Sequence, residues 1–431
     1  MRVLWLCNTM LPIIAEDLGL QPSNKEGWLS GLSNRMLVRK GENSIELGVC
    51  FPYQGPMSLE EPVPLLKGNV NDIPYYGFKE DIVHEEIYDK RLEVYLGAII
   101  HDFQPDLIHI FGTEYAHSLA MVRSFSHPDK ILIGMQGVCS ACAREYMADL
   151  PSSIQKRVTF RDWVRKDSIV KQQEKFIIRA MHEEKALMGV SHITGRTRLD
   201  REETFQINPE AKYHFMNETL RSNFYTETWN IEHCKKHSIL LSQGNYPLKG
   251  AHYLLEAVAL VKVQYPDCTV KIAGDKITSK ETIKDKCKLS SYGKYLLELI
   301  DHYHLQNVVT FLGRQNANEM KEEFLKSHVY VCASSIENSP NSLGEAMLLG
   351  MPVVSSNVGG IPDLIEDQKE GLLFEKGNIK ELANCICEIF RNEEKAIELG
   401  RNGKKRATVT HDSITNYNRL VEIYEEILKK K

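Results

Sequence analysis

Between Ser334 and Gly359 the chain reads S-S-I-E-N-S-P-N-S-L-G-E-A-M-L-L-G-M-P-V-V-S-S-N-V-G, and few architectures accommodate that order. The apolar run Val329-Tyr330-Val331-Cys332-Ala333 enters it and predicts a buried strand. Pro340-Asn341-Ser342 opens a helix, since proline suits a first turn and Asn or Ser can cap free amides. Glu345 to Leu349 continue it, and Gly350 stops it with a proline two residues on. Pro352-Val353-Val354 begins another strand. Short apolar runs alternate with amphipathic stretches along the whole chain. The fold class is therefore α/β with mostly parallel strands.

Two carboxylates stand in this stretch, Glu337 on the loop at the carboxyl end of a strand and Glu345 about a turn inside the helix. Ligands of open α/β sheets bind outside the carboxyl ends of the strands. A helix amino terminus offers unpaired N–H groups and a positive dipole end, which suit a phosphate. Carboxylates beside a phosphate repel it, but they accept hydrogen bonds from sugar and ribose hydroxyls. The ligand implied is a phosphate flanked by polyols, such as a nucleotide sugar. Two glutamates at this spacing also arise by chance as surface charges. The strand, proline-opened helix, glycine stop, second strand and Gly359-Gly360-Ile361-Pro362-Asp363 together set this stretch apart.

The stretch resembles the E-x7-E donor site of retaining GT-B glycosyltransferases, the glycosyl transferases group 1 (GT4) family, over roughly the second half of the chain. The resemblance implies two Rossmann-like domains with a cleft between them. Residues 1–225 would form an acceptor-binding domain and 226–410 a nucleotide-sugar-binding domain, with 411–431 a helix crossing back to the first. It implies a metal-independent enzyme with no cofactor that moves a sugar, with retention, from a UDP- or GDP-sugar to a sugar or lipid-linked glycan. Similar enzymes build capsule, exopolysaccharide or lipopolysaccharide. By position, Glu337 and Lys249 are the catalytic candidates. Gly244, Lys249, Gly274, Arg314, Glu337, Asn341, Ser342, Leu343 and Glu345 are the donor-binding set, and Gly27, Gly31, Glu114 and Gln136 the acceptor-binding set. Two departures stand out. Gln136-Gly137 occupies the place of a His-Gly in many relatives, and an amide cannot titrate near neutrality. Gln243-Gly244 falls where an arginine usually joins the lysine in clamping the diphosphate, a charge that Arg314 is placed to replace. These departures keep open a second reading, a non-catalytic sugar-nucleotide binder within an assembly complex. An epimerase or phosphorylase on the same fold is a third.

A chain of 431 residues fits two domains. Its net charge of −5, from 53 basic and 58 acidic residues, makes no case for nucleic acid. No apolar run reaches spanning length, and Met1 to Leu6 reads as a first strand, so a cytoplasmic location is expected. Ten cysteines lack framework spacing. Cys139 and Cys142 form a lone C-x-x-C, read as buried or incidental thiols with a metal or redox role as the alternative. Thr9 to Lys25 reads as a loop, Lys25 opens a helix, and Ser44 begins the second strand. Residues 156–181 carry eight basic and three acidic side chains. Arg157, Arg161 and Arg165 recur at helical spacing among Phe160, Trp163 and Val164. That pattern fits a basic helix on an anionic membrane surface, peripheral to the cytoplasmic membrane, or equally a solvated face with a packed underside.

Overall fold

The computed structural model describes residues 1–21, 27–38, 45–57, 63–280, 282, 285 and 287–429. Lys25 and Ser44, used above to begin a helix and a strand, lie outside these; the helix is described as Gly27–Val38 and the strand as Glu46–Pro52. The chain divides into two units. The first comprises Met1–Ser140, Lys175–Leu220 and His411–Lys431, the second Ala141–Glu174 and Arg221–Thr410.

The first unit is built on eight strands: β1 (Arg2–Cys7), β2 (Glu46–Pro52), β3 (Leu66–Val70), β4 (Ile73–Phe78), β5 (Leu107–Phe111), β6 (Ile131–Gly134), β7 (His192–Gly195) and β8 (Lys212–Phe215). They lie in the order β3-β4-β2-β1-β5-β6-β7-β8, parallel except for the β3–β4 hairpin. That hairpin turns on Asn71 and Asp72, both left-handed at φ 51° and 57°, the conformation a two-residue turn requires. β1 and β5 are apolar but for Arg2 at the start of β1 and His109, as central parallel strands covered on both faces should be. The terminal helix Ser413–Lys429 belongs to this unit and locks onto those strands. Trp5 Nε1 donates to Tyr424 Oη at 2.9 Å, and that hydroxyl lies 2.7 Å from His109 Nδ1. Burial pushes the His109 imidazole down to about 3, so it is neutral.

The second unit has six parallel strands: β9 (Lys235–Leu241), β10 (Thr269–Ala273), β11 (Val309–Gly313), β12 (Ser327–Cys332), β13 (Val353–Ser356) and β14 (Leu372–Phe374). Their order is β11-β10-β9-β12-β13-β14. The chain winds outward from β9 to β11, returns, and continues from β12 on the other side. The loops after β9 and β12 therefore flank the topological switch point, where α/β sheets bind ligands.

Three features differ from the sequence reading. Residues 141–174, expected in the first domain, belong to the second unit. Polar anchors hold them there: His252 Nε2 to Ala148 O at 2.9 Å, Tyr253 Oη to Asp149 at 2.6 Å, Lys376 Nζ to Glu145 at 2.5 Å and Ser291 N to Asp162 at 2.8 Å. Residues 156–181 do not form one basic helix. They form Phe160–Arg165 and the start of Ile169–Met188, broken where Lys166 turns left-handed at φ 50°. The loop expected from Thr9 contains a helix, Pro12–Asp17, with its proline at the first turn.

Candidate active site at the switch point

β12 is completely buried and delivers Ala333 to Ser335 to the sheet edge. There the chain is held by its neighbours. Ser335 N donates to Leu248 O at 2.8 Å, and Ser356 Oγ donates to Ser334 O at 2.6 Å. Gly250, the residue that opens helix Ala251–Gln264, has φ +66°, and a Cβ there would stand 1.8 Å from Ala333 O. Only glycine lets the Lys249 loop and the β12 exit come so close. Gly359 does the same for the next loop. It has φ +54°, its Cβ would meet Glu337 O at 2.0 Å, and Gly360 N donates to that carbonyl at 3.0 Å. The Gly-Gly pair is thus a backbone clasp on Glu337.

These contacts bring together Lys249 and Glu337, which are 88 positions apart: Lys249 Nζ lies 2.5 Å from Glu337 Oε1. Ser334 Oγ donates to the same oxygen at 2.7 Å, and the Tyr246 ring lies under the ammonium, 5.8 Å from Nζ to centroid. Burial works against the charge on Lys249, but Glu337 outweighs it and holds the lysine well above its usual range. The ammonium is therefore permanently charged, aimed by Glu337, and about a fifth exposed.

Helix Asn341–Leu349 starts beside this pair. Its N-cap residue, Pro340, supplies no side-chain cap, and no acidic residue stands in its first turn. Leu343 N bonds to Pro340 O at 3.0 Å. Ser342 Oγ is 2.7 Å from Tyr330 Oη, which is 3.0 Å from Ser242 Oγ, so a hydroxyl chain links β9, β12 and the helix start. One turn further in, Glu345 is buried and clamped by Arg221, Nε to Oε1 at 2.6 Å and Nη2 to Oε2 at 2.7 Å. Burial raises the Glu345 carboxyl, and Arg221 only partly offsets it. Arg221 also stacks on Phe224, 4.8 Å from the ring centroid. Sequence reasoning missed Arg221. It lies 124 positions from its partner with no motif around it, and its place just after the first unit was the sole clue.

The other donor-set residues line the same sheet edge. Gly244 packs so closely that a Cβ would meet Ile272 Cγ2 at 2.6 Å, and Gly274 sits against Gln243 and Asn245. Arg314 does not join Lys249. It pairs with Asp275 and is largely exposed, so the second cation of this region is Arg221. In the first unit, Gly27 opens its helix, and Gly31 is packed against Leu220 O, 2.6 Å from where a Cβ would stand. Glu114 accepts from Gly137 N at 2.6 Å. Gln136 donates to Glu218 at 2.8 Å and faces Arg196, which pairs with Glu218 at 3.0 Å. Both side chains thus carry internal hydrogen bonds. Cys139 and Cys142 are not joined in a disulfide. Among the described residues no cluster of three or more His, Cys, Asp or Glu is arranged to hold a metal ion. Among them, too, no helix is long and apolar enough to cross a membrane.

Residues 226–406 match the family model described as glycosyl transferases group 1. Spore coat protein SA of Bacillus subtilis (strain 168) is 28% identical over 185 residues, 42% of this chain and 46% of that protein. The putative colanic acid biosynthesis glycosyltransferase WcaL of Salmonella typhimurium is 28% identical over 156 residues, 35% of each chain. The chain spans less than half the length of these curated relatives. Among solved structures, Anabaena Alr3699/HepE in complex with UDP and glucose superposes with a TM-score of 0.67 at 17% identity, covering 99% of this chain and 100% of that one. At that identity the likeness shows the fold, which is GT-B.

Proposed function

We propose that this chain, whose residues 226–406 match the glycosyl transferases group 1 model, transfers a sugar from a nucleotide-sugar donor to a glycan or lipid-linked acceptor. The product is a cell-surface polysaccharide, made at the inner face of the cytoplasmic membrane. The observation that carries the reading is the Lys249–Glu337 pair at the switch point, beside a helix start whose N-cap residue, Pro340, supplies no side-chain cap. Lys249 and the amides of Asn341 and Ser342 receive the diphosphate and stabilise the charge that develops as it leaves. Glu337 keeps Lys249 charged and offers its second oxygen to a hydroxyl of the transferred sugar. Glu345 accepts from ribose hydroxyls, with Arg221 holding its carboxylate in place. The acceptor hydroxyl attacks the anomeric carbon on the face that the diphosphate leaves, so configuration is retained. The bond to the diphosphate oxygen breaks, and that phosphate takes the acceptor proton. The step needs neither a protein nucleophile nor a metal. UDP-glucose and GDP-sugars are the first donors to test, the former because Alr3699/HepE was solved with UDP and glucose.

The second reading, binding of a sugar nucleotide without turnover, rests on Arg314. The arginine expected to complete the diphosphate clamp is spent on Asp275. One panel separates the two. Thermal shifts with UDP, GDP and ADP identify the base, since a ligand at 100 times its Kd stabilises the folded state by about 2.7 kcal/mol. Turnover of the matching sugar nucleotides then identifies an enzyme. Stabilisation without turnover identifies a binder, and no stabilisation by any nucleotide refutes the donor site itself.

A further inference from the structure

The short helix Phe160–Arg165 is turned inside out. Its one buried side chain is an acid, Asp162, while Val158, Phe160, Trp163 and Val164 face solvent. Phe160 and Trp163 are 65% and 71% exposed, and their rings neighbour each other at 6.2 Å. Four large apolar side chains within seven residues form a patch of the kind that soluble proteins keep for a partner. The patch is also rigidly presented. Asp162 and Thr159 form a capping box, Asp162 Oδ2 accepts from Ser291 N at 2.8 Å, and Lys166 closes the helix in a left-handed conformation. The arginines that suggested a membrane surface are largely committed elsewhere. Arg157 pairs with Glu298 at 2.8 Å, and Arg161 with Asp162 at 3.0 Å and Asp167 at 2.8 Å. Within residues 156–166 the exposed charged residues are Lys156, Arg165 and Lys166. From 156 to 166 the only acid is the buried Asp162.

We propose that this tip is a membrane anchor: Phe160, Trp163, Val158 and Val164 insert at the interface of an anionic bilayer, with Lys156, Arg165 and Lys166 on the lipid headgroups. An exposed tryptophan beside a phenylalanine, with three exposed cations in the same short segment, matches the polarity gradient of a lipid interface. The anchor works by apolar insertion with electrostatic assistance. Salt screens its cationic rim and leaves the insertion itself. The inference stands apart from the donor-site reading, because none of these side chains belongs to that site.

Vesicle flotation of the full chain tests it. The wild type is expected to float with phosphatidylglycerol–phosphatidylcholine vesicles, less with phosphatidylcholine alone, and still partly at high salt. The double substitution Phe160→Ser/Trp163→Ser is expected to lower partitioning by at least about tenfold, given the apolar area removed. It alters only exposed side chains, so its nucleotide thermal shift should equal that of the wild type. The proposal is overturned by any of four results. The first two are a wild type that ignores anionic vesicles and one that binds both vesicle types equally. The third is a double variant that floats as well as the wild type. The fourth is a wild-type dimer in light scattering that the same substitution disperses, which would make the tip a self-association surface.

Discussion

Replacing Arg221 by alanine is expected to destabilise the second unit by about 3–5 kcal/mol near neutral pH, and by less in acid. The wild-type pair is bidentate at 2.6 and 2.7 Å, and Glu345 is only 3% exposed. Removing the guanidinium strands a buried carboxylate whose folded-state pKa already lies above the ordinary range because of burial. Without Arg221 that pKa rises further. A carboxyl raised in the folded state is at its most favourable below its unfolded pKa, and the stability is lost as pH climbs through the folded one. The penalty of the substitution therefore grows from acid pH to neutral pH. At about 2–4 °C per kcal/mol for a unit of this size, the melting point should fall by on the order of 10 °C at the upper pH. Circular dichroism melts at both pH values supply the measurement. The double variant Arg221→Ala/Glu345→Ala carries no stranded charge and should recover part of the loss. It should nonetheless bind nucleoside diphosphate more weakly than the wild type by about 1–3 kcal/mol, because the proposed ribose acceptor is gone. A single variant within about 1 kcal/mol of wild type at both pH values would refute the argument from buried charge. Wild-type nucleotide affinity in the double variant would refute the ribose role.

Lys249→Ala should lower turnover by about 10²–10³-fold, the loss seen when a positioned charge is taken from a developing anion; near wild-type turnover would assign that role elsewhere. Gly250→Ala adds a Cβ 1.8 Å from Ala333 O at a left-handed position. It should lower stability by about 2 kcal/mol or more in urea unfolding, with nucleotide affinity falling alongside, and an unchanged midpoint would show that the loops are not pinned there. In the first unit, burial lifts the Glu183 carboxyl to about 7, although Thr113 and Cys139 N donate to it at 2.5 and 3.0 Å. Its contribution is present below its ordinary pKa and lost as pH rises to about 7, a change of about 3 kcal/mol. Glu183→Gln should remove that slope, so the stability difference between variant and wild type should change over this window. A constant difference would contradict the assignment.

What was legible in the sequence follows from how local each interaction is. The helix start at Pro340, its glycine stop and the strands either side are set by neighbours in the chain, and the α/β architecture followed from them. The β3–β4 hairpin was not read, because its turn is made by Asn71 and Asp72 without the glycine that usually marks one. Residues 141–174 could not be assigned to the second unit. The bonds that hold them, such as Tyr253 to Asp149 across 104 positions, leave no trace in composition.

The same distinction explains why residue identities were easier to find than their roles. Phe160, Trp163 and the three arginines were all visible in the sequence as an amphipathic pattern. In a helix of six residues, however, periodicity cannot say which face looks inward. That is decided by Asp162, whose bond to Ser291 N, 129 positions away, makes the acidic side chain the buried one and turns the apolar face to solvent. At the switch point the reverse holds. Lys249 and Glu337 were placed by motif alone, but their coupling depends on contacts of Gly250 and Gly359 that only the folded backbone reveals. Those two glycines leave no room for a Cβ where each meets a neighbouring carbonyl, so the loop backbones fix how the lysine and the glutamate meet. A charge pair set by backbone in this way is already organised before a diphosphate arrives. Its ordering cost falls on folding rather than on binding, and under the proposed function that is how a site with one clamp lysine would bind a donor.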